Sequence, residues 1–199
     1  MLRRIALILA ALTLLALMVG CSKAPEAEYQ SAQAAMDAAK TAEAEVYVPD
    51  SFGAAVDTMN AAMAAKQEQD SKFALFRSYG KAKEMFVKAE EMFNNVASEA
   101  AAEKERVKNQ VTQMLVDAKA VVDSAAMALQ KAPRGKGTKA DIELIKNDLT
   151  AVQSMLAEAE GDFNSGKYMV AKSKLESVVQ KAHSIMDEIA KAVMKKAGK

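Results

Sequence analysis

The only cysteine of the chain, Cys21, closes an amino-terminal segment whose residue types follow the order of a secretory signal. Arg3 and Arg4 supply a basic start, and residues 5–19 are almost wholly apolar. Gly20, a small residue, directly precedes the cysteine. The apolar run is shorter than the roughly 20 residues that a membrane-spanning helix needs. We therefore predict that residues 1–20 are a signal peptide, cleaved between Gly20 and Cys21.

The chemistry expected at Cys21 is lipidation of its thiol. A lone cysteine in an exported chain has no disulfide partner within that chain, and attachment of a diacylglycerol would explain its presence. Cleavage would free the Cys21 amine for a further acyl chain such as palmitate, and two or three chains anchor stably at roughly 0.8 kcal/mol per buried methylene. This covalent lipid is expected in place of any cofactor. Met18 departs from the leucine usual at that place, and the alternative is an uncleaved signal anchor with an unused cysteine.

Ser22 follows the cysteine, so no aspartate stands at that place. By resemblance to well-studied lipoproteins of Gram-negative bacteria, this residue implies export to the outer membrane instead of retention at the inner one. We therefore expect a protein held in the outer membrane by its lipid and facing the periplasm.

The composition of the mature chain favours long helices, and its net charge gives no reason to expect nucleic-acid binding. The 27 basic residues fall to 25 when Arg3 and Arg4 are removed, against 26 acidic residues, which leaves a net charge of −1. Because no excess of positive charge results, no nucleic-acid partner is expected. Alanine, glutamate, lysine and methionine are strong helix formers. A content of 51% hydrophobic and 27% charged residues suits amphipathic helices better than disorder.

Breaker residues divide the mature sequence into five predicted helices. Proline or glycine marks the breaks near residues 25, 49, 133–137 and 166, and an aspartate–serine pair marks another turn at residues 70–71. The predicted helices cover residues 25–46, 52–70, 72–132, 138–163 and 168–199, and a turn is predicted at residues 164–166. Asp50 or Ser51 is expected to cap the second helix, and Thr138 with Asp141 resembles a capping box for the fourth.

The third predicted helix sets the organisation of the fold. If it is unbroken, residues 72–132 form a helix about 90 Å long, with Phe73 and Phe76 at the start of its apolar stripe. Apolar residues of the stripe become sparse at residues 101–106. We therefore expect a waist there, meaning a narrow junction between two lobes, or else a break or a kink of the helix. We predict an all-α fold, an elongated antiparallel helical bundle of two three-helix lobes, residues 21–102 and 103–199, that share this central helix. A homotypic coiled coil through the waist, and hence a homo-oligomer, is left open.

Short motifs carry a resemblance to a known group of proteins. They are an Ala-x-x-Ala run at residues 39–42, the aromatic-x-Pro sequence Tyr47-Val48-Pro49, and the pairs Lys72-Phe73 and Lys167-Tyr168. Over most of residues 34–192 the chain resembles alanine-rich, paired-helix lipoproteins of the bacterial outer membrane that carry a domain of unknown function. The resemblance implies location and architecture and carries no catalytic residue to this chain.

The densest basic cluster away from the carboxyl terminus is formed by Lys131, Arg134, Lys136 and Lys139. The segment contains glycines, but it lacks the GxxxxGK[ST] spacing and the preceding strand of a phosphate-binding loop. We interpret the four side chains as a candidate contact loop for anionic lipid, glycan or protein. The alternative is a solvated loop with no partner.

Residue types that do catalysis or bind metals are sparse. His183 is the only histidine and has no second histidine or cysteine nearby, whereas a zinc site needs three or four ligands. Glu158, Glu160 and Asp162 precede a glycine, but their spacing does not match a calcium loop, and a solvated helix end is the alternative. The sequence also shows no serine–histidine–aspartate set. We therefore expect neither an enzyme nor a metal site.

The methionines and the last residue leave several binding roles open. The methionines at helical positions include Met59, Met63, Met85, Met92, Met155 and Met186. Methionine fills cores and also lines adaptable apolar grooves. We predict a structural spacer, scaffold or adaptor with an envelope protein partner, or alternatively a periplasmic carrier or chaperone with a Met/Ala-lined groove for amphipathic clients. Lys199 resembles the terminal lysine that joins Braun-type lipoproteins to peptidoglycan, so peptidoglycan contact is left open.

Overall fold

The computed structural model describes residues 23–132 and 139–197. Over these residues the chain is all-α, as predicted, and contains no β-strand. The helices are α1 (Glu26–Thr41), α2 (Ala44–Tyr47), α3 (Pro49–Asp70), α4 (Gly80–Lys131), α5 (Lys139–Asn164) and α6 (Tyr168–Ala197). A short 3-10 turn, Ala74–Phe76, lies between α3 and α4. Within the described ranges, no helix combines the length and the apolarity needed to cross a membrane.

The first helix ends earlier than the sequence pattern predicts. The predicted end near Val46 is wrong, because α1 stops at Thr41 and the one-turn helix α2 follows after a sharp turn. Glu43 makes that turn in the left-handed conformation, with φ of 60°, which is costly for a residue with a side chain. Ala44 and Tyr47 are both buried behind it. Burial of these two side chains offsets the backbone cost of the turn.

Helix α3 begins at a proline instead of a polar cap. Pro49 occupies the first turn, where its missing N–H leaves no hydrogen bond unmade and its fixed φ suits a helix. Val48 stands at the cap position, and no side chain there accepts a hydrogen bond from the helix. The predicted capping by Asp50 or Ser51 is therefore wrong.

Helix α4 begins at Gly80, eight residues later than predicted. It then runs for 52 residues without a break, including the stretch at residues 101–106 where the sequence left a break open. Residues 72–79 form a connection between α3 and α4, which we call the 72–79 loop. Phe73 and Phe76 are exposed in this loop. Their prediction as the start of a core stripe is therefore wrong.

The chain divides into two compact units, Met1–Ala101 and Ala102–Lys199; the arrangement of each as a three-helix lobe stays a prediction. In the first unit, aromatic rings pack in pairs across helices. The rings of Tyr29 and Phe86 meet edge to face with centroids 5.5 Å apart, and those of Phe52 and Phe93 are 5.8 Å apart. Such geometries are favoured by the ring quadrupoles. Buried alanines of the same unit include Ala32, Ala35, Ala39, Ala55, Ala62, Ala82 and Ala89.

The second unit has a core of aliphatic side chains and a well-formed turn between α5 and α6. The fully buried larger side chains described there are Val107, Val111, Val152, Leu175 and Val178. The predicted turn at residues 164–166 is confirmed, and Gly166 adopts a φ of 76°. The N–H of Lys167 donates to the carbonyl of Asp162 over 2.9 Å, and that of Gly166 donates to Phe163 over 3.0 Å. These two bonds form a Schellman motif, which satisfies carbonyls at the end of α5.

Candidate functional site

The predicted lipidation site lies close in sequence to the start of the described fold. Gly20 and Cys21 themselves lie outside the described residues. Helix α1 begins at Glu26, five residues after Cys21, and carries Glu26 and Glu28 in its first turn, where carboxylates favour the positive end of a helix. Five residues span at most about 17 Å. A group attached at Cys21 would therefore be tethered near this end of α1.

Ion pairs fix the start of α1 against its neighbours. The carboxylate of Glu26 lies 3.1 Å from the ammonium of Lys66, which also lies 3.1 Å from Asp70 at the end of α3. Glu28 pairs with Lys83 of α4 over 2.8 Å. The hydrogen bond to Asp70, followed by that to Glu26, raises the pKa of Lys66, and the bond to Lys83 lowers the pKa of Glu28. The starts of α1 and α4 and the end of α3 thus lie together at one end of the first unit.

The 72–79 loop at this same end exposes three large apolar side chains. Phe73, Leu75 and Phe76 are 70%, 64% and 75% exposed. The rings of Phe73 and Phe76 contact each other with centroids 6.4 Å apart. Exposed single hydrophobics are ordinary, whereas a contiguous cluster marks an interaction site. The sequence pattern missed this cluster because the spacing of the two rings also fits a buried helix face.

Polar contacts hold the backbone of the 72–79 loop. The guanidinium of Arg77 donates to the carbonyl oxygens of Lys72 and Asp70, each over 2.9 Å. The backbone N–H of Ser78 donates to the side chain of Gln69 over 3.1 Å. These bonds link the loop to the last turn of α3. The exposed rings are therefore displayed on a fixed backbone.

Tyr79, the last residue of the 72–79 loop, links the loop to the end of α3. Its side chain is buried, and its hydroxyl donates to the carboxylate of Asp70. This hydrogen bond is the main cause that lowers the pKa of Asp70, and Lys66 adds to it. The same bond raises the pKa of the Tyr79 hydroxyl. Asp70 therefore contacts the loop through Tyr79, and it contacts Lys66, which pairs with Glu26 at the start of α1.

The predicted basic contact loop is described only at its edges. Lys131 is exposed in the last turn of α4, and Lys139 is the first residue of α5. Arg134 and Lys136 lie outside the described residues. The role of this cluster in binding anionic lipid, glycan or protein stays a prediction.

The acidic residues before Gly166 are engaged by lysines. Lys174 of α6 lies 3.1 Å from Glu158 and 2.8 Å from Asp162, and these bonds, that to Asp162 first, raise the pKa of Lys174. Glu160 pairs with Lys119 over 2.8 Å. The carboxylates thus tie helices together instead of facing a common point. No group of three or more histidine, cysteine, aspartate or glutamate side chains is placed to hold a metal ion anywhere in residues 23–132 and 139–197.

The remaining single candidates are a histidine and the methionines. His183 is exposed on α6. Met59 is buried, whereas Met85, Met92, Met155 and Met186 are half-buried at the edges of the cores, and Met63 is 39% exposed. A shallow cavity of about 400 Å³ in the second unit is lined by Met114, Asp117, Glu176, Val179 and Gln180. One of about 220 Å³ in the first unit is lined by Glu26, Tyr29, Met63, Lys66, Gln67 and Asp70.

Comparison of the chain with protein-family models, with curated proteins and with solved structures finds no match. The resemblance to alanine-rich outer-membrane lipoproteins therefore stays a prediction that rests on its short motifs.

Proposed function

We propose that the protein is a lipid-anchored lipoprotein of the cell envelope that acts as a structural spacer, scaffold or adaptor. The observation that carries the proposal is the order of residues before Cys21, a basic start, a short apolar run and Gly20. Lipid on Cys21 would hold the mature chain in the outer membrane, on the periplasmic side. The helical units would then act through contacts of their surfaces with an envelope protein.

The described fold supports a role in contact more than in chemistry. Apolar side chains at helical spacing face the cores of the units, from Phe86 and Phe93 in the first to Leu175 in the second. Charged side chains on the surfaces pair with each other along and between helices, as Lys174 does with Asp162.

Lipidation is tested on intact cells with the C21S variant. The wild-type protein is expected to incorporate labelled palmitate, to gain the mass of its acyl chains on the Cys21 peptide, and to sediment with membranes. C21S is expected to lose the palmitate label and the added mass. The matched control S22A changes the adjacent residue without touching the thiol and should keep them. Unmodified Cys21 in the wild-type protein would overturn the proposed anchor.

Location is tested with the residue after the cysteine. The S22D variant is expected to move from the outer-membrane to the inner-membrane fraction of a density gradient, because an aspartate at this place retains the lipoproteins that the signal resembles. S22A should stay in the outer-membrane fraction. A wild-type protein found in the inner-membrane fraction would contradict the proposed location.

The kind of partner is tested by crosslinking in cells, purification through this protein and mass spectrometry. One protein recovered in a constant ratio supports an adaptor, and recovery of the chain alone or with sacculus fragments supports a spacer. Attachment to peptidoglycan through Lys199 predicts that detergent leaves part of the protein on the sacculus. Complete release by detergent would exclude that attachment.

A carrier or chaperone is the second candidate. The observation that favours it is the shallow cavity with Met114 and Val179 in its lining, because methionine-lined apolar surfaces accommodate varied clients. An environment-sensitive apolar dye is expected to bind the folded protein, and M114E should weaken that binding without loss of helicity. Equal dye signals from wild type and M114E would show that this cavity does not bind the dye.

A further inference from the structure

The 72–79 loop displays its apolar cluster next to basic side chains. Residues 72–83 contain four basic side chains and no acidic one, and the basic residues are Lys72, Arg77, Lys81 and Lys83. Lys72 pairs with Glu68 over 3.0 Å and Lys83 pairs with Glu28 over 2.8 Å, and both lysine side chains stay partly exposed. Phe73, Leu75 and Phe76 project among them with more than half of their surfaces exposed. Aromatic and aliphatic side chains next to lysine and arginine are the composition of protein surfaces that enter the interface of a bilayer with anionic lipids.

The position of the loop agrees with this composition. The loop is linked through Tyr79 and Asp70 to Lys66, and Lys66 pairs with Glu26 in the first turn of α1. Cys21 precedes Glu26 by five residues, a reach of at most about 17 Å. Lipid on Cys21 therefore brings the bilayer to the end of the first unit that displays the two phenylalanines.

We propose that Phe73, Leu75 and Phe76 insert into the interfacial region of the phospholipid bilayer beside the acyl chains of Cys21. The proposal rests on the proposed lipid anchor. The acyl chains hold the protein on the membrane, and the loop adds a second point of contact in the same unit. Two points of contact restrict how that unit rotates on its tether, so the loop sets the orientation of the first unit against the bilayer.

A bilayer fits this loop better than a second protein does. The three side chains stand on a short connection whose backbone is held by Arg77 and Tyr79, and they project from it with 64–75% of their surfaces exposed. A phospholipid interface accepts a projecting cluster without any matching shape, and its phosphates suit the neighbouring lysines.

The test uses the fact that the chain contains no tryptophan. F76W places a single indole in the loop, and F73W repeats the measurement at the second ring. The matched control is V46W, at an exposed position of the same unit beyond the other end of α1, which is about 24 Å long. Each variant is purified with its own lipid from membranes and reconstituted into vesicles of phosphatidylethanolamine and phosphatidylglycerol, with and without bromine on the acyl chains.

The indoles of F76W and F73W are expected to emit at shorter wavelength in vesicles than in detergent-free buffer, where each substitution is carried on the unlipidated C21S background. Bromine on the acyl chains should quench these two indoles at least twofold more than it quenches the indole of V46W. Emission and quenching equal to those of V46W, on vesicles that carry the protein, would overturn the loop proposal and leave the lipid anchor standing. A blue shift that grows with protein concentration in the absence of lipid would assign the loop to a second copy and also overturn it. Absence of acyl chains in the mass of the purified wild-type protein would instead overturn the anchor.

Discussion

The hydroxyl of Tyr79 donates a hydrogen bond to the carboxylate of Asp70, nine residues earlier in the chain. The bond closes the connection between α3 and α4 and leaves the apolar residues between its two ends facing outward. Because Asp70 also binds Lys66, the same carboxylate joins this connection to the segment that follows Cys21. A single side chain thus relates the exposed rings to the proposed anchor.

The Y79F variant removes only the hydroxyl of that pair. We expect the backbone amides of residues 71–79 to exchange their hydrogens faster than in the wild-type protein, because local opening of the loop becomes easier. Amides in the middle of α4 should be unchanged, and they serve as the internal control. Equal protection of the loop in both proteins would show that the Tyr79 hydroxyl does not hold it and that the bonds of Arg77 and Ser78 are sufficient.

Acid is expected to weaken the same contact. Tyr79 first, and then Lys66, lower the pKa of Asp70 from its ordinary value of 3.8, so the folded protein binds this proton less readily than the unfolded chain does. The stabilising contribution is therefore fully present above pH 3.8 and is lost as the pH falls through the lower pKa of the folded state. The thermal midpoint of D70N should fall less than that of the wild type between neutral pH and this acid range. Parallel curves for the two proteins would contradict the assignment.

The turn between α5 and α6 gives a matched pair of glycine substitutions. At Gly166 the φ of 76° makes any side chain unfavourable although space is free around it, and G166A should lower the free energy of unfolding by about 1–2 kcal/mol. Gly161 lies inside α5 with equally free space, so G161A should raise it by about 0.5–1 kcal/mol. Urea denaturation of both variants checks the sign and size, and the same sign for both would refute the assignment of strain to Gly166.

Truncation of a buried ring should destabilise the first unit. Phe93 is fully buried and packs on Phe52, so F93A is expected to cost about 3–5 kcal/mol through lost burial and the cavity that remains. L75A removes an exposed side chain and should change stability by less than about 0.5 kcal/mol. Thermal and urea unfolding followed by circular dichroism measure both. A cost for F93A as small as that for L75A would place Phe93 outside the core.

The helical class was predictable because most of this chain consists of strong helix formers punctuated by few breakers. Pro49 and Gly166 act as their residue types predict, one in the first turn of α3 and the other after the end of α5. The turn at Glu43 was not predictable from local sequence, because a left-handed conformation at glutamate depends on burial of the residues that follow. Periodicity indicates where apolar residues recur, and tertiary contacts decide whether they are covered.

The candidate site was predictable only in part for the same reason. Cys21 is recognised from residue order alone and stays a prediction, since it lies outside the described residues. Phe73 and Phe76 have the spacing of a core stripe, and their exposure follows from hydrogen bonds of Arg77 and Tyr79 that have no periodic signature. A closer signal was the group of basic residues at 72–83, a range that contains no acidic residue.

The tight turn at Gly166 also bears on how fast the second unit forms. It joins α5 and α6, two helices adjacent in the chain that pack against each other, and contacts between neighbouring elements close with little loss of chain entropy. Topologies rich in such contacts fold in microseconds to milliseconds. If the chain is exported in an extended form, as proposed, the apolar stripes of α5 and α6 would thus be covered soon after both have emerged. This would shorten the time in which proteases and other unfolded chains can reach them.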